Sequence, residues 1–204
     1  MEVTRTFHTA DRARWRAWLR AHHRTAKEIW LVYYRKESGR PRISYNDAVE
    51  EALCFGWIDS TMKKVDERRM AQRFTPRRAG SPYSQANRER LRALIAARRV
   101  SKPVLDSLPK GLLATRVIVA ADVREALEAT PPAWGNFRRF SAAYRRIRLA
   151  FVEGARSRPA EFQKRLGHLV RRSARNEQFG FGGVEKHYQD GSRVSLKDCC
   201  APRS

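Results

Sequence analysis

The chain of 204 residues has only three cysteines, Cys54, Cys199 and Cys200. Two are vicinal and the third is far off in sequence, so no disulfide framework is available. None stands in metal-ligand spacing with His8, His22, His23, His168 or His187, which removes the usual structural zinc arrangements. No stretch approaches the roughly 20 apolar residues of a membrane span, and no N-terminal apolar run resembles a signal peptide. A cytoplasmic location is therefore expected. Acids are also scarce, with 21 Asp and Glu against 43 Lys and Arg, for a formal net charge of +22. A field of that size suits a polyanion such as nucleic acid or an acidic membrane surface; alternatively it reflects an arginine-rich genome. It informs on association and not on fold. Hydrophobic residues make up 42% of the chain, enough for a core, and the length fits one domain or a domain with a smaller partner.

What is present centres on residues 44–78. Ser44 with Asp47 three residues on reads as a helix-capping box. Tyr45, Ala48, Val49, Ala52 and Leu53 then recur at helical spacing, and Gly56 suits a left-handed stop. The other side of this helix carries Asp47, Glu50, Glu51 and Cys54, the densest acid cluster in the chain. Two antiparallel strands follow, 58–65 and 69–75, joined across Asp66-Glu67-Arg68. A three-residue loop puts Ile58, Ser60 and Met62 on one face with Phe74, Gln72 and Met70. The other face then gathers Asp59, Thr61, Arg73 and Thr75.

Before this stretch, Asp11 caps a helix with Trp15, Trp18 and Leu19 on its apolar side. Residues 29–36 (IWLVYYRK) read as a central strand, apolar on both faces. After it, Ser84 caps a helix reaching about Arg99, with Leu91, Leu94 and Ile95 as its buried stripe. Residues 68–99 hold ten arginines and one acid, Glu89. Residues 101–132 form a breaker-rich linker with a short helix near 122–129. Phe137, Phe140, Tyr144, Ile147 and Phe151 then predict one long amphipathic helix, and Pro159 starts another with Phe162, Leu166 and Leu169. The pair forms an antiparallel helical hairpin over 133–178. The tail, 179–204, has no helical period and is expected to be mobile. The fold class is α+β: residues 1–100 form a small antiparallel sheet packed with helices, and the hairpin follows.

Three chemistries compete for these residues. A nucleophilic Cys54 is opposed by neighbouring carboxylates and lacks a histidine close in sequence. A metal at Asp47, Glu50 and Glu51 is opposed by a simpler reading, in which these acids pair with the protein's own arginines. Nucleic acid can be held by Arg73, Arg77, Arg78, Arg88 and Arg92, although no helix-turn-helix spacing, zinc ligand set or RNA-recognition aromatic pair is visible. The same arginines, with amides of the Gly80-Ser81 loop, equally suit a small phosphate or carboxylate ligand beside Trp57 and Phe74.

The blocks EALCFGWIDS at 51–60 and QRFTPRRAGSPYSQANRERLRALI at 72–95, with the strand IWLVYYRK, resemble the YdeI / OmpD-associated (OmdA-like) family, some members of which are labelled bacteriocin-protection proteins. That resemblance spans residues 7–100. The pattern AL…PPAW…F…YRR at 126–146 and the stretch ARSRPAEFQKRLGHLV at 155–170 are similar to the family's helical segment. The resemblance implies an α+β unit followed by helices, and a role in tolerance of antimicrobial peptides or envelope stress. It implies no catalytic residues.

The expectation is thus a non-catalytic, cofactor-free protein that binds an anionic ligand in a cleft between the α+β unit and the hairpin. In that cleft Arg73 and Arg77 hold the anion, Asp59 orients Arg73, and Trp57 forms an apolar wall, with Thr75 and Asn87 beside them. The alternative is a sequence-nonspecific nucleic-acid binder using the arginine faces; an enzyme comes third.

Overall fold

A computed structural model describes residues 2–114 and 116–180, and the chain divides into two units, one ending at Leu113 and the other beginning at Ala114. The N-terminal unit is a four-stranded sheet with helices on one side. Strand β1 (Thr6–His8) runs parallel to β2 (Ile29–Tyr34), which pairs antiparallel with β4 (Arg69–Pro76), and β4 pairs in turn with β3 (Trp57–Lys64). β2 is therefore internal, and Ile29 to Tyr33 are all buried, as two apolar faces require. Its Ile29, Leu31 and Tyr33 join one core with Trp15, Leu53 and Phe74. Its Trp30 and Val32 join a small cluster with Ala71 on the opposite face.

Helices α1 (Arg12–His22), α2 (Tyr45–Cys54) and α3 (Gln85–Ala96) begin where capping chemistry puts them. Asp11 accepts from the Ala13 amide, Ser44 from Asp47 and Ser84 from Asn87, each satisfying a first-turn donor that the helix cannot. The Asp47 carboxylate reaches back to the Ser44 hydroxyl, 2.7 Å away. Gly56 ends the α2 turn at φ +74°, and a Cβ there would lie 3.2 Å from Val104. The positive φ calls for glycine, and a Cβ would in addition force Val104 to give way. A short helix α4 (Lys102–Ser107) lies within the expected linker.

The C-terminal unit consists of α5 (Ala121–Glu128), α6 (Ala133–Arg139), α7 (Ala142–Glu153) and α8 (Pro159–Ala174), with α8 packed on the other three. Val123, Leu127, Phe137, Tyr144, Phe162 and Leu169 form its core. The single helix expected from Phe137 to Phe151 is two. Phe140 turns extended, and Ser141 caps a new helix by accepting from the Tyr144 amide. A side-chain cap inside an unbroken apolar period overrode that period. Phe179, first residue of the expected tail, stacks on His168 at 4.3 Å and donates its amide to the Tyr144 hydroxyl. Residues 181–204, which hold the rest of that tail with Cys199 and Cys200, lie outside the described residues.

Candidate functional site

The acid cluster on α2 turns inward. Glu51 is fully buried and accepts from Arg12 Nε at 2.5 Å, from Arg16 Nη1 at 2.7 Å and from Arg99 Nη2. Arg12 also bridges to Glu50 at 2.8 Å and to Asp47. Burial opposes the charge on Arg12, yet Glu51, Glu50 and Asp47 outweigh it and hold the guanidinium pKa above its ordinary value. A cation already occupies the point on which the carboxylates converge, so the cluster is an internal ion-pair hub tying α2 to α1 and to the turn after α3.

Cys54 sits beside this hub, completely buried. Burial, and then the Glu51 carboxylate, push its thiol from the ordinary 9.0 up to about 11, the opposite of what a nucleophilic thiolate needs. At pH 8 the native protein should leave Cys54 unalkylated by iodoacetamide, and denaturant should expose it; rapid native labelling in a peptide map would overturn this. Because the folded thiol holds its proton above the ordinary value, its contribution to stability is complete below about pH 9 and is lost as pH rises toward 11.

In the β-hairpin the register at the tip is the expected one, with Lys64 opposite Met70 and Met62 opposite Gln72. A bulge between Asp59 and Met62 then adds one residue to β3 and places Asp59 opposite Phe74. The shift reverses the expected sides of the β3 residues before the bulge, while Met62 and the β4 residues keep theirs. Asp59 lies on the helix side, where it accepts from the Tyr45 hydroxyl at 2.7 Å and from Gln72 at 3.5 Å. Arg73 is opposite Trp30 on the other side, where it pairs with Glu28 through Nε at 2.7 Å. Asp59 therefore does not orient Arg73. Trp57 is 1% exposed and donates its indole N–H to the His23 carbonyl at 3.1 Å, which makes it a core residue. Phe74 is likewise fully buried. Half-buried Thr75 stands opposite Ile58. Asn87 is buried and accepts from Arg90, which also reaches Asn46.

Arg77 has a different setting. Its amide donates to the Gly56 carbonyl at 2.9 Å, its Nη2 donates to the carbonyls of Ser81 and Pro82 at 3.0 Å each, and its guanidinium lies 3.7 Å from the centre of the Tyr83 ring. This fixed arginine lines a cleft of about 690 Å³ with Arg78, Arg88 and Lys110. Gly56, Tyr83, Val104 and Leu112 also line it. Arg88 is tethered to the Tyr83 carbonyl through Nε at 3.1 Å. No Asp or Glu lines the cleft, and Arg77, Arg78, Arg88 and Lys110 take no part in the ion pairs of the described residues. Of the five arginines read as phosphate contacts, Arg77, Arg78 and Arg88 share this cleft, whereas Arg73 pairs with Glu28 and Arg92 with Glu89. Lys110 had no signal in the sequence, since nothing local links it to residues some thirty positions earlier.

No group of three or more His, Cys, Asp or Glu among the described residues is placed to hold a metal ion, and no described helix is long and apolar enough to cross a membrane. No curated protein and no solved structure matches the chain. Two family models do. Residues 7–107 match a domain of unknown function (DUF8412), so the blocks at 51–60 and 72–95 fall under that description. Residues 116–176 match the model described as "Bacteriocin-protection, YdeI or OmpD-Associated", and they hold the PPAW and ARSRPAEF segments. Over these C-terminal residues the chain is similar to the YdeI or OmpD-associated, bacteriocin-protection (OmdA) family.

Proposed function

We propose that this is a non-catalytic, cytoplasmic protection protein that acts by holding an anionic ligand in the Arg77 cleft of its N-terminal unit. One observation carries the reading: four cations line one cleft, and no carboxylate neutralises them. The contrast is with buried Glu51, around which the same unit gathers three partly buried arginines. Two of the four are also immobilised, Arg77 by two carbonyls and a ring and Arg88 by one carbonyl. An anion would meet donors whose ordering cost is already met by the fold. The family description, bacteriocin protection, is compatible with sequestering or sensing such a ligand.

A thermal-shift titration with sodium pyrophosphate tests this. At a ligand concentration about a hundredfold above Kd the midpoint should rise by several degrees. Arg78→Ala should reduce the rise without lowering the unliganded midpoint, because no described contact of its side chain is lost. An equal rise in Arg78→Ala and Arg88→Ala would sink the cleft assignment. So would binding of a labelled DNA duplex that falls steeply with salt but ignores both substitutions, since that pattern belongs to the diffuse charge of the whole surface.

A further inference from the structure

We infer that the ligand of the Arg77 cleft is a diphosphate ester, a pyrophosphoryl group carried on an apolar or planar body; this rests on the anion-binding reading above. The first observation is charge. Arg77 and Arg78 come from the loop after β4, Arg88 from the first turns of α3 and Lys110 from the turn after α4, so cations face the cavity from separate segments. A carboxylate would answer one of them. A single phosphomonoester carries roughly −1.5 to −2 at neutral pH, and two linked phosphates supply the charge and the spread of acceptor oxygens that four separated donors call for. Three of the four are arginines, whose forked N–H groups match phosphate oxygens in pairs.

The second observation is what the cations leave unfilled. Inorganic phosphate would occupy a minor part of about 690 Å³, and beside Ser81 and Ser107 the remaining wall is largely apolar. Tyr83, Val104, Pro109 and Leu112 line it. Tyr83 already carries the Arg77 guanidinium over its ring, which presents a flat, cationic surface to whatever lies against it. A hydrophilic anion such as citrate would leave this wall against water, whereas an ester would cover it. Nucleoside diphosphates and prenyl diphosphates share this chemistry and differ in the body.

Calorimetric titration of the full chain with inorganic pyrophosphate, ADP, geranyl diphosphate and geranate separates the possibilities. At least one of the two esters should bind roughly tenfold tighter than inorganic pyrophosphate, the yield of about 60 Å² of apolar surface covered. Geranate, with the same body and one charge, should bind roughly a hundredfold more weakly than its diphosphate. Leu112→Asn should weaken the ester and spare pyrophosphate, while Arg78→Ala should weaken both. If geranate matches geranyl diphosphate, or if neither ester exceeds pyrophosphate, the diphosphate-ester assignment is wrong although the cleft still binds anions. If none of the four binds, the anion-binding reading itself falls. Tighter binding of ADP assigns a nucleotide body, and tighter binding of geranyl diphosphate an isoprenoid one.

Discussion

Replacing Glu51 with glutamine should cost the N-terminal unit roughly 3–5 kcal/mol, the range for removing one partner from a buried charge group. The glutamine has nearly the same volume, so the loss is electrostatic. Glu51 is fully buried and gathers Arg12, Arg16 and Arg99, and a carboxylate can accept from all three. An amide offers one acceptor and turns two donors of its own toward guanidinium donors. Glu50 and Asp47 still serve Arg12, but the pairs that Glu51 itself makes with Arg16 and Arg99 are lost. Four of the five tryptophans lie before Leu113, so urea unfolding followed by tryptophan emission reads this unit. Glu67→Gln, which removes an exposed partner of Lys64, is the control and should stay within about 0.5 kcal/mol. If Glu51→Gln behaves like the control, the hub is ornamental and the helices are held by apolar packing alone.

Trp15→Ala should rival that loss at roughly 3–5 kcal/mol, the range for large-to-small aromatic changes in cores. Trp15 is fully buried. It stacks on Trp18 with ring centres 5.4 Å apart, meets Phe74 edge-on at 5.4 Å and donates its indole N–H to the Ala48 carbonyl at 3.0 Å. One side chain thus touches its own helix, the sheet and α2, and none of these can close the gap without breaking a neighbour's packing. Trp15→Phe should fall between wild type and Trp15→Ala, because it keeps a ring but loses the hydrogen bond. A Trp15→Ala protein that unfolds at the wild-type urea midpoint would show that this core repacks freely.

The elements that were legible in the sequence are those that announce themselves locally. Ser44, Ser84 and Asp11 each cap the helix they precede, and the two apolar faces of IWLVYYRK placed β2 inside the sheet. The three-residue strand β1 was not legible, because three residues carry no period. The break at Phe140-Ser141 was hidden for the opposite reason, since the apolar period continues through it. Among the site residues, Arg77, Arg78 and Arg88 were visible as an arginine run. The acid that neutralises Arg73, Glu28, and the fourth cation of the cleft, Lys110, come from distant segments that only the fold brings near. The Asp59–Arg73 pairing failed on one residue of register.

The bulge in β3 also divides the hairpin into two sections with separate tolerances. Its extra residue lets the strand start obey the helices, which demand Trp57 inside, while the tip obeys the turn at Asp66-Glu67-Arg68. Loop grafts that add whole pairs of residues at the tip keep the alternation of side chains in both sections. A single deletion at Ser60 or Thr61 removes the extra residue and leaves Trp57 and Met62 four apart on a regular ladder, so both keep the side they share opposite Pro76 and Gln72. This makes the hairpin tip the place to insert a label or an affinity tag, and the bulge the place where one residue can be removed without turning either section over.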